Sequence, residues 1–139
     1  MAAPRRFVPF NEWEDERQVL GVEGERLAIG FLTSCGWSLE AHRFRLGRHD
    51  VDLVVRKDRV VAFVEVKTRQ SNTCGTGLEA VSRRKQRDLA RVASVWLLRY
   101  GRPGDQYRFD LVSVLIRPGG RHQVEHLPDA WRLDGHWFW

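Results

Sequence analysis

Two carboxylates and a lysine stand where two apolar runs of the chain should meet, and these residue types suit metal-assisted chemistry. The run Val60–Thr68 is rich in β-branched residues, which predicts a buried strand. Side chains alternate along a strand, so Glu65 and Lys67 should point to the same face. A second apolar run, Val51–Val55, lies just upstream, and the short polar link between the runs predicts a hairpin. Antiparallel pairing in that hairpin would bring Asp52 near Glu65.

Oxygen ligands of this kind are those that Mg²⁺ or Mn²⁺ takes in proteins. Asp52 and Glu65 would supply two of them, and the backbone carbonyl of Val66 would supply a third. A bound ion lowers the pKa of a coordinated water. Lys67 could orient that water or neutralise charge on a phosphate. A purely structural ion pair between Glu65 and Lys67 is the simpler alternative.

Two predicted helices each bring one charged residue toward the same region. The first spans about 12–35 and ends at Gly36, and its spacing places Glu25 at the border of its inner apolar stripe. The second spans 82–100, and Lys85 begins its inner stripe. Both residues would therefore face the sheet, unless they are ordinary charges at the edge of a helix.

Basic residues outnumber acidic ones, with 23 Lys and Arg against 18 Asp and Glu and a formal net charge of +5. That balance favours a polyanionic partner such as nucleic acid. Candidate contacts to nucleic acid are the basic residues after the Glu65 strand and at the start of the second helix: Arg69, Arg83, Arg84, Lys85 and Arg87. Such a row of basic residues is more often simply the solvent-exposed face of a helix.

Length and composition indicate one domain of 139 residues, with 42% hydrophobic and 29% charged residues. Residues 1–10 hold two Pro and two Arg, which predicts a flexible arm ahead of a single domain over 11–139. The chain shows no membrane span and no signal-peptide pattern, and its two cysteines lie in no motif, so a cytoplasmic protein is expected. Zinc-ligand spacing, a P-loop and a nucleophile elbow are all absent from the sequence.

The predicted elements follow in the order helix, three strands, helix, two strands. The first strand is predicted over 37–45 and the last two over 107–116 and 123–127, with a connecting segment at 46–50. This order indicates an α/β fold in which helices flank a central mixed β-sheet.

The motifs of this chain resemble those of two related groups of proteins. Asp52 followed by Glu65-Val66-Lys67 resembles the Asp…Glu-x-Lys signature of restriction-endonuclease-like nucleases. Over residues 20–131 the chain more closely resembles the bacterial YraN-like family, which is similar to archaeal Holliday junction resolvases. The matching motifs are Gly24-Glu25 with Ala28, Asp50-Val51-Asp52-Leu53, Phe63–Arg69, Glu79-Ala-Val81 with Lys85-Gln86, Arg108-Phe-Asp110, and His126-Leu with Ala130-Trp131.

The resemblance implies a restriction-endonuclease-like fold and a Mg²⁺-dependent phosphodiesterase site made of Glu25, Asp52, Glu65 and Lys67. It implies a nuclease acting on DNA, branched DNA included. A nucleic-acid-binding module of the same fold without turnover is the alternative, and an interaction protein with purely structural charges is the third hypothesis.

Resolvases of this fold commonly form dimers, so a homodimer is a further expectation. The tryptophans of the tail, 131–139, would serve that interface or, more simply, pack on the protein's own core. The chain departs from the family pattern at His49-Asp50, where the family usually has Gly-Glu. A Gly at that place can serve a turn of positive φ, so the loop geometry and the role of position 50 are left open.

Overall fold

The chain alternates helices and strands in the order that its sequence pattern predicts. A computed structural model describes residues 16–70 and 81–132. The elements are α1 (Glu16–Ser34), β1 (Ser38–Leu46), β2 (His49–Lys57), β3 (Val60–Gln70), α2 (Arg83–Tyr100), β4 (Gln106–Ile116) and β5 (His122–Trp131). The α/β class is confirmed. The arm predicted over 1–10 and the tail after Arg132 lie outside the described residues.

The five strands form one mixed sheet in the order β1-β2-β3-β4-β5. Among the described strands, three neighbouring pairs are antiparallel and β3 with β4 is parallel. A parallel pair needs a crossover connection, and α2 lies in it. Neither of the two described helices is long and apolar enough to cross a membrane.

Some predicted strand boundaries are wrong. The segment 46–50 was expected to be a connection, but β1 ends at Leu46 and β2 already begins at His49. The last strand, expected over 123–127, runs on to Trp131. It passes Pro128 because β5 is an edge strand with an irregular register opposite Asp110, and a proline is tolerated at such a place.

The two helices cover opposite faces of the sheet. Along β3, Val61 and Phe63 belong to the core that contains α2, whereas Ala62 and Val64 belong to the core that contains α1. On the α2 side the helix contributes Leu89, Ala90, Val92, Ala93 and Trp96. Trp131 stacks on Phe109 with ring centroids 5.4 Å apart, so it packs on the protein's own core, as the simpler of the two hypotheses predicted.

One close contact fixes α1 against β3. A Cβ atom on Gly24 would lie 1.7 Å from the Thr68 hydroxyl oxygen, so only glycine permits this approach. The contact presses the next residue, Glu25, against the sheet, where it is 6% exposed. At the other end of α1, Gly36 has a φ of 96° and ends the helix as predicted.

The start of α2 is fixed by a capping hydrogen bond. The hydroxyl oxygen of Ser82 accepts a hydrogen bond from the backbone N–H of Lys85 at 3.2 Å. The predicted N-cap is therefore confirmed. Since Lys85 lies in the first turn, this cap also sets the place of its side chain beside the sheet.

Candidate metal and nucleic-acid site

The hairpin of β2 and β3 opens at the two predicted carboxylates. The β2–β3 ladder ends at Leu53 and Val64, whereas β3 continues beside β4 to Gln70. Beyond the ladder, Oδ2 of Asp52 accepts a hydrogen bond from the backbone N–H of Val66 at 2.8 Å. The sequence prediction that the hairpin brings Asp52 to the Glu65 segment is confirmed. We call this opening the fork site; its carboxylates are those of Asp52 and Glu65.

The fork site offers the three oxygens that the sequence predicts. The N–H and C=O of one strand residue point to the same side of the strand, so the Val66 carbonyl faces the same opening as the Asp52 carboxylate. Glu65 is 6% exposed, and its Oε2 is buried without a hydrogen-bond partner. A buried acceptor left without a donor is costly. A hard divalent cation with oxygen ligands fits this arrangement.

Both carboxyl groups of the fork site resist ionisation. Asp52 keeps some exposed surface, but its carboxyl group is enclosed, and burial raises its pKa well above the usual range. The charges of Glu65 and Glu25 raise the pKa of Asp52 further, against the hydrogen bond from Val66. Burial also raises the pKa of Glu65, and the charges of Lys85 and Lys67 and a hydrogen bond with Asp52 oppose this rise. A bound cation would favour the charged form of both groups.

Two lysines act on Glu65 from different elements. Lys85 on α2 places its Nζ 4.0 Å from Oε1 of Glu65. Lys67 is exposed, and its charge lowers the pKa of Glu65 less than that of Lys85 does. The Glu65–Lys67 ion pair of the structural alternative is not formed among the described residues, where Glu65 has Lys85 at 4.0 Å instead. Lys85 therefore borders the carboxylates, as its predicted place on the inner stripe of the second helix implies.

Glu25 reaches this region but is held by two basic side chains. Its Oε1 shares a hydrogen bond with Nε2 of His42 at 2.6 Å and accepts one from Nε of Arg43 at 2.9 Å. Its Oε2 accepts a second hydrogen bond from Arg43 at 3.0 Å. Burial acts to raise the pKa of Glu25, but these partners outweigh it, and the pKa is lowered. Glu25 therefore carries a fixed negative charge that acts on Asp52.

Sequence reasoning missed His42 and Arg43. His42 is fully buried, and Arg43 has a φ of 56°, which is uncommon for a residue with a side chain. A single histidine and a single arginine in a strand give no signal of their own. The one usable sign was the need of a buried Glu25 for a basic partner.

The departure at His49-Asp50 leaves the turn intact. The positive φ in this connection is at Gly47, with a φ of 62°, and not at His49. The His49 ring lies 3.6 Å from the carboxylate of Asp88 on α2. The charge of Asp50 raises the pKa of both Asp52 and Glu65. Position 50 thus keeps an electrostatic effect on the fork site.

The predicted basic contacts lie beside the fork site. Arg83, Arg84 and Arg87 are exposed on the first half of α2, the half that also carries Lys85. Arg69 is partly buried near the end of β3, past the point where the hairpin opens. The structure therefore places basic side chains on two elements that border the carboxylates.

A mixed sheet that lies between two helices and opens at a pair of enclosed carboxyl groups defines an α/β protein with an acidic site between two inner strands. The uncharacterised protein family UPF0102 matches residues 24–114, and the chain belongs to this family. The YraN-like resemblance is thereby confirmed. The matched range contains every residue of the fork site and both lysines beside it.

Relatives in several bacteria match most of the chain. The UPF0102 protein of Nocardia farcinica is 42% identical over 112 residues, which cover 81% of this chain and 88% of the relative. That of Pelobacter propionicus is 34% identical over 131 residues, covering 93% and 94%. That of Symbiobacterium thermophilum is 40% identical over 111 residues, covering 80% and 94%. These names give the family and state no activity.

Proposed function

We propose that this protein is a metal-dependent nuclease that hydrolyses phosphodiester bonds in DNA, with branched DNA as the first substrate to test. The observation that carries the proposal is the fork site, where Asp52 and Glu65 meet with raised pKa values and one buried oxygen lacks a donor. A Mg²⁺ or Mn²⁺ ion held by these residues and the Val66 carbonyl would supply an activated water.

The lysines beside the fork site have a role in this proposal that follows from their charge. Lys85 and Lys67 would neutralise negative charge on the phosphoryl oxygens while the carboxylates hold the ion. Glu25 is already paired with Arg43, so it does not offer a free ligand atom. Its role in this proposal is to stabilise the fold and to act on Asp52 through its negative charge.

The first turn of α2 supports a nucleic-acid partner. It begins with Arg83, Arg84 and Lys85, and it contains no acidic residue. Cations at a helix N-terminus oppose the helix dipole, at a cost of roughly 0.3–1 kcal/mol each. An arrangement that weakens its own helix is better explained by a bound polyanion than by folding, because phosphates would offset this repulsion.

The metal part of the proposal is tested by calorimetric titration of Mn²⁺ into three proteins. We expect wild type to bind the ion and Asp52→Asn to bind it at least about tenfold more weakly, because a ligand is lost. Asp58→Asn makes the same chemical change at the far turn of the same hairpin and should bind like wild type. Equal affinity in wild type and Asp52→Asn would contradict the proposal.

The nuclease part is tested with a panel of branched, flapped and nicked DNAs in Mg²⁺ or Mn²⁺. If wild type cuts one of them, Lys67→Ala should reduce the rate by on the order of 100-fold, since charge stabilisation counts most in the transition state. Binding should change little, because it is spread over many basic residues. Unchanged cleavage by Lys67→Ala would show that Lys67 is structural.

A nucleic-acid-binding module without turnover is the second candidate. One observation favours it: within residues 16–70 and 81–132, no three His, Cys, Asp or Glu side chains form a group that could hold a metal ion. This candidate predicts salt-dependent binding to the same DNAs with no cleavage of any. Binding without cleavage in both metals would place it ahead of the nuclease.

A further inference from the structure

A second pocket lies at the other end of the sheet from the fork site. It is an open groove with a volume of about 390 Å³ beside the β2–β3 turn, and Val60 at the start of β3 is among its lining residues. Val60 precedes Glu65 by five residues, which corresponds to roughly 17 Å along a strand. The two sites are therefore separate, and none of the residues proposed for nuclease chemistry lines this pocket. Its volume falls in the usual range for small-molecule sites, about 300–1,000 Å³.

A buried carboxylate, that of Asp110, positions Arg108 and His126 at the wall of this pocket. Asp110 is fully buried and accepts hydrogen bonds from Nε and Nη2 of Arg108 at 3.0 and 3.1 Å. It also bonds to Nε2 of His126 at 2.7 Å and to the backbone N–H of Asp129 at 2.9 Å. Because the carboxylate is beneath the surface, the pocket is lined by the basic groups. The second terminal nitrogen of Arg108, Nη1, is not used by Asp110.

A tryptophan brings a second cation to the same wall. The Lys57 ammonium lies 5.8 Å from the centre of the Trp37 ring, and the Arg108 guanidinium carbon lies 5.0 Å from it. The Lys57 ammonium donates one hydrogen bond to the backbone carbonyl of Cys35 at 2.8 Å. An ammonium group has three protons, so two remain for a ligand. Asp58, in the turn, is the carboxylate that lines the pocket directly.

We propose that this pocket binds a phosphate-bearing ligand of the size of a mononucleotide. Lys57 and Arg108 supply the charge and the unused N–H donors, and guanidinium geometry suits phosphate oxygens. Trp37 and Pro128 supply the apolar wall for the sugar and base. The ligand is either a free nucleotide or the terminal nucleotide of a strand, since both present the same group.

The test is calorimetric titration of wild-type protein with deoxyadenosine monophosphate, deoxyadenosine and inorganic phosphate. The monophosphate should bind more tightly than either fragment. Lys57→Met should weaken its binding by at least about fivefold, because a charged donor is lost. Arg121→Gln removes one positive charge from the exposed turn at the other end of β4 and should leave the affinity unchanged.

A second variant, Asp58→Asn, should change the affinity for the monophosphate in the opposite direction. Asp58 has a φ of 54°, a conformation that asparagine also tolerates, so Asp58→Asn should fold normally. It removes the carboxylate from the pocket and should tighten binding of the monophosphate by about twofold. If Lys57→Met does not fold, Asp58→Asn decides alone, and unchanged or weaker binding overturns the proposal. No binding of the monophosphate to wild type at 10 mM, on the order of the weakest useful affinity, also overturns it.

The two sources of the ligand are separated with a short oligodeoxynucleotide that carries either a 5′-phosphate or a 5′-hydroxyl. If the pocket takes a strand end, the phosphorylated form should bind more tightly to wild type but not to Lys57→Met. If the two forms bind equally, the strand end is excluded and the free nucleotide stands. None of these measurements needs metal or cleavage, so they stay decisive if the nuclease proposal fails.

Discussion

The carboxyl groups of the fork site and that of Asp105 in a second acidic cluster on the same sheet have pKa values shifted in opposite directions. In the second cluster, Arg56 donates one hydrogen bond to Glu40 at 2.7 Å and two to Asp105 at 2.6 and 2.9 Å. The pKa of Asp105 is lowered, chiefly by its hydrogen bonds from Arg56. At the fork site, burial and like charges raise the pKa of both Asp52 and Glu65.

The two clusters differ in how completely their carboxylates are paired with donors. A buried guanidinium with two carboxylate partners closes its own hydrogen bonds and joins β1, β2 and the start of β4. At the fork site two carboxyl groups have one backbone N–H donor, a lysine 4.0 Å away and a hydrogen bond with each other. A bound cation would offset the electrostatic cost of ionising both carboxyl groups.

The largest effect on the free energy of unfolding should come from removing Arg56 from the second acidic cluster. Arg56→Met leaves Glu40 and Asp105 without their common partner, and loss of one member of a buried ion pair costs about 3–5 kcal/mol. Urea unfolding followed by circular dichroism measures this loss. Arg99→Met, an exposed change on α2, is the control and should cost little. A loss below about 1 kcal/mol for Arg56→Met would show that the cluster is not structural.

A smaller effect of opposite sign should come from neutralising the fork site. Asp52→Asn keeps an oxygen for the Val66 N–H but removes a charge that burial and two neighbouring carboxylates disfavour. Without divalent metal at pH 8, its free energy of unfolding should exceed that of wild type by about 1 kcal/mol. The measurement is urea unfolding in EDTA. A clear loss of stability would mean that the charge of Asp52 supports the fold.

The smallest effect, and the sharpest form of the comparison, is in the pH dependence of stability. Raised pKa values at the fork site mean that stability falls as pH rises from the ordinary acid pKa values, 3.8 for Asp and 4.5 for Glu, through the raised ones. The lowered pKa of Asp105 means that its contribution is lost as pH falls below 3.8 toward the lowered value.

Two variants separate these slopes in urea unfolding from pH 2.5 to 8. Asp52→Asn should flatten the decline above pH 4 and leave the acid limb in place. Asp105→Asn should flatten the acid limb alone. If Asp52→Asn leaves the upper slope unchanged, Asp52 is not the group that titrates there.

Local patterns predicted much of this molecule. Alternation and a short turn place Asp52 near Glu65, and the spacing of the second helix places Lys85 on its inner side; the structure confirms both. These inferences succeed because they join residues of one hairpin or one helix. The roles of the site residues in metal binding and catalysis stay predictions.

Partner choice across the fold could not be predicted. Glu25 pairs with a histidine 17 positions away, and Arg56 pairs with Asp105 at a separation of 49. No periodicity relates such residues, since their meeting depends on how the whole sheet is assembled. For the same reason the pocket at Trp37 and Arg108 was not predicted, although Arg108-Phe-Asp110 was noted as a motif.

The contact between Gly24 and Thr68 makes a residue without any functional group a regulator of the site's electrostatics. A methyl group at position 24 would act as a spacer, moving α1 outward or turning the threonine aside. If the helix moved, the charge of Glu25 would recede from Asp52, and the pKa of that carboxyl would fall. The spacing between α1 and β3 thus influences the pKa of Asp52, although neither Gly24 nor Thr68 belongs to the fork site.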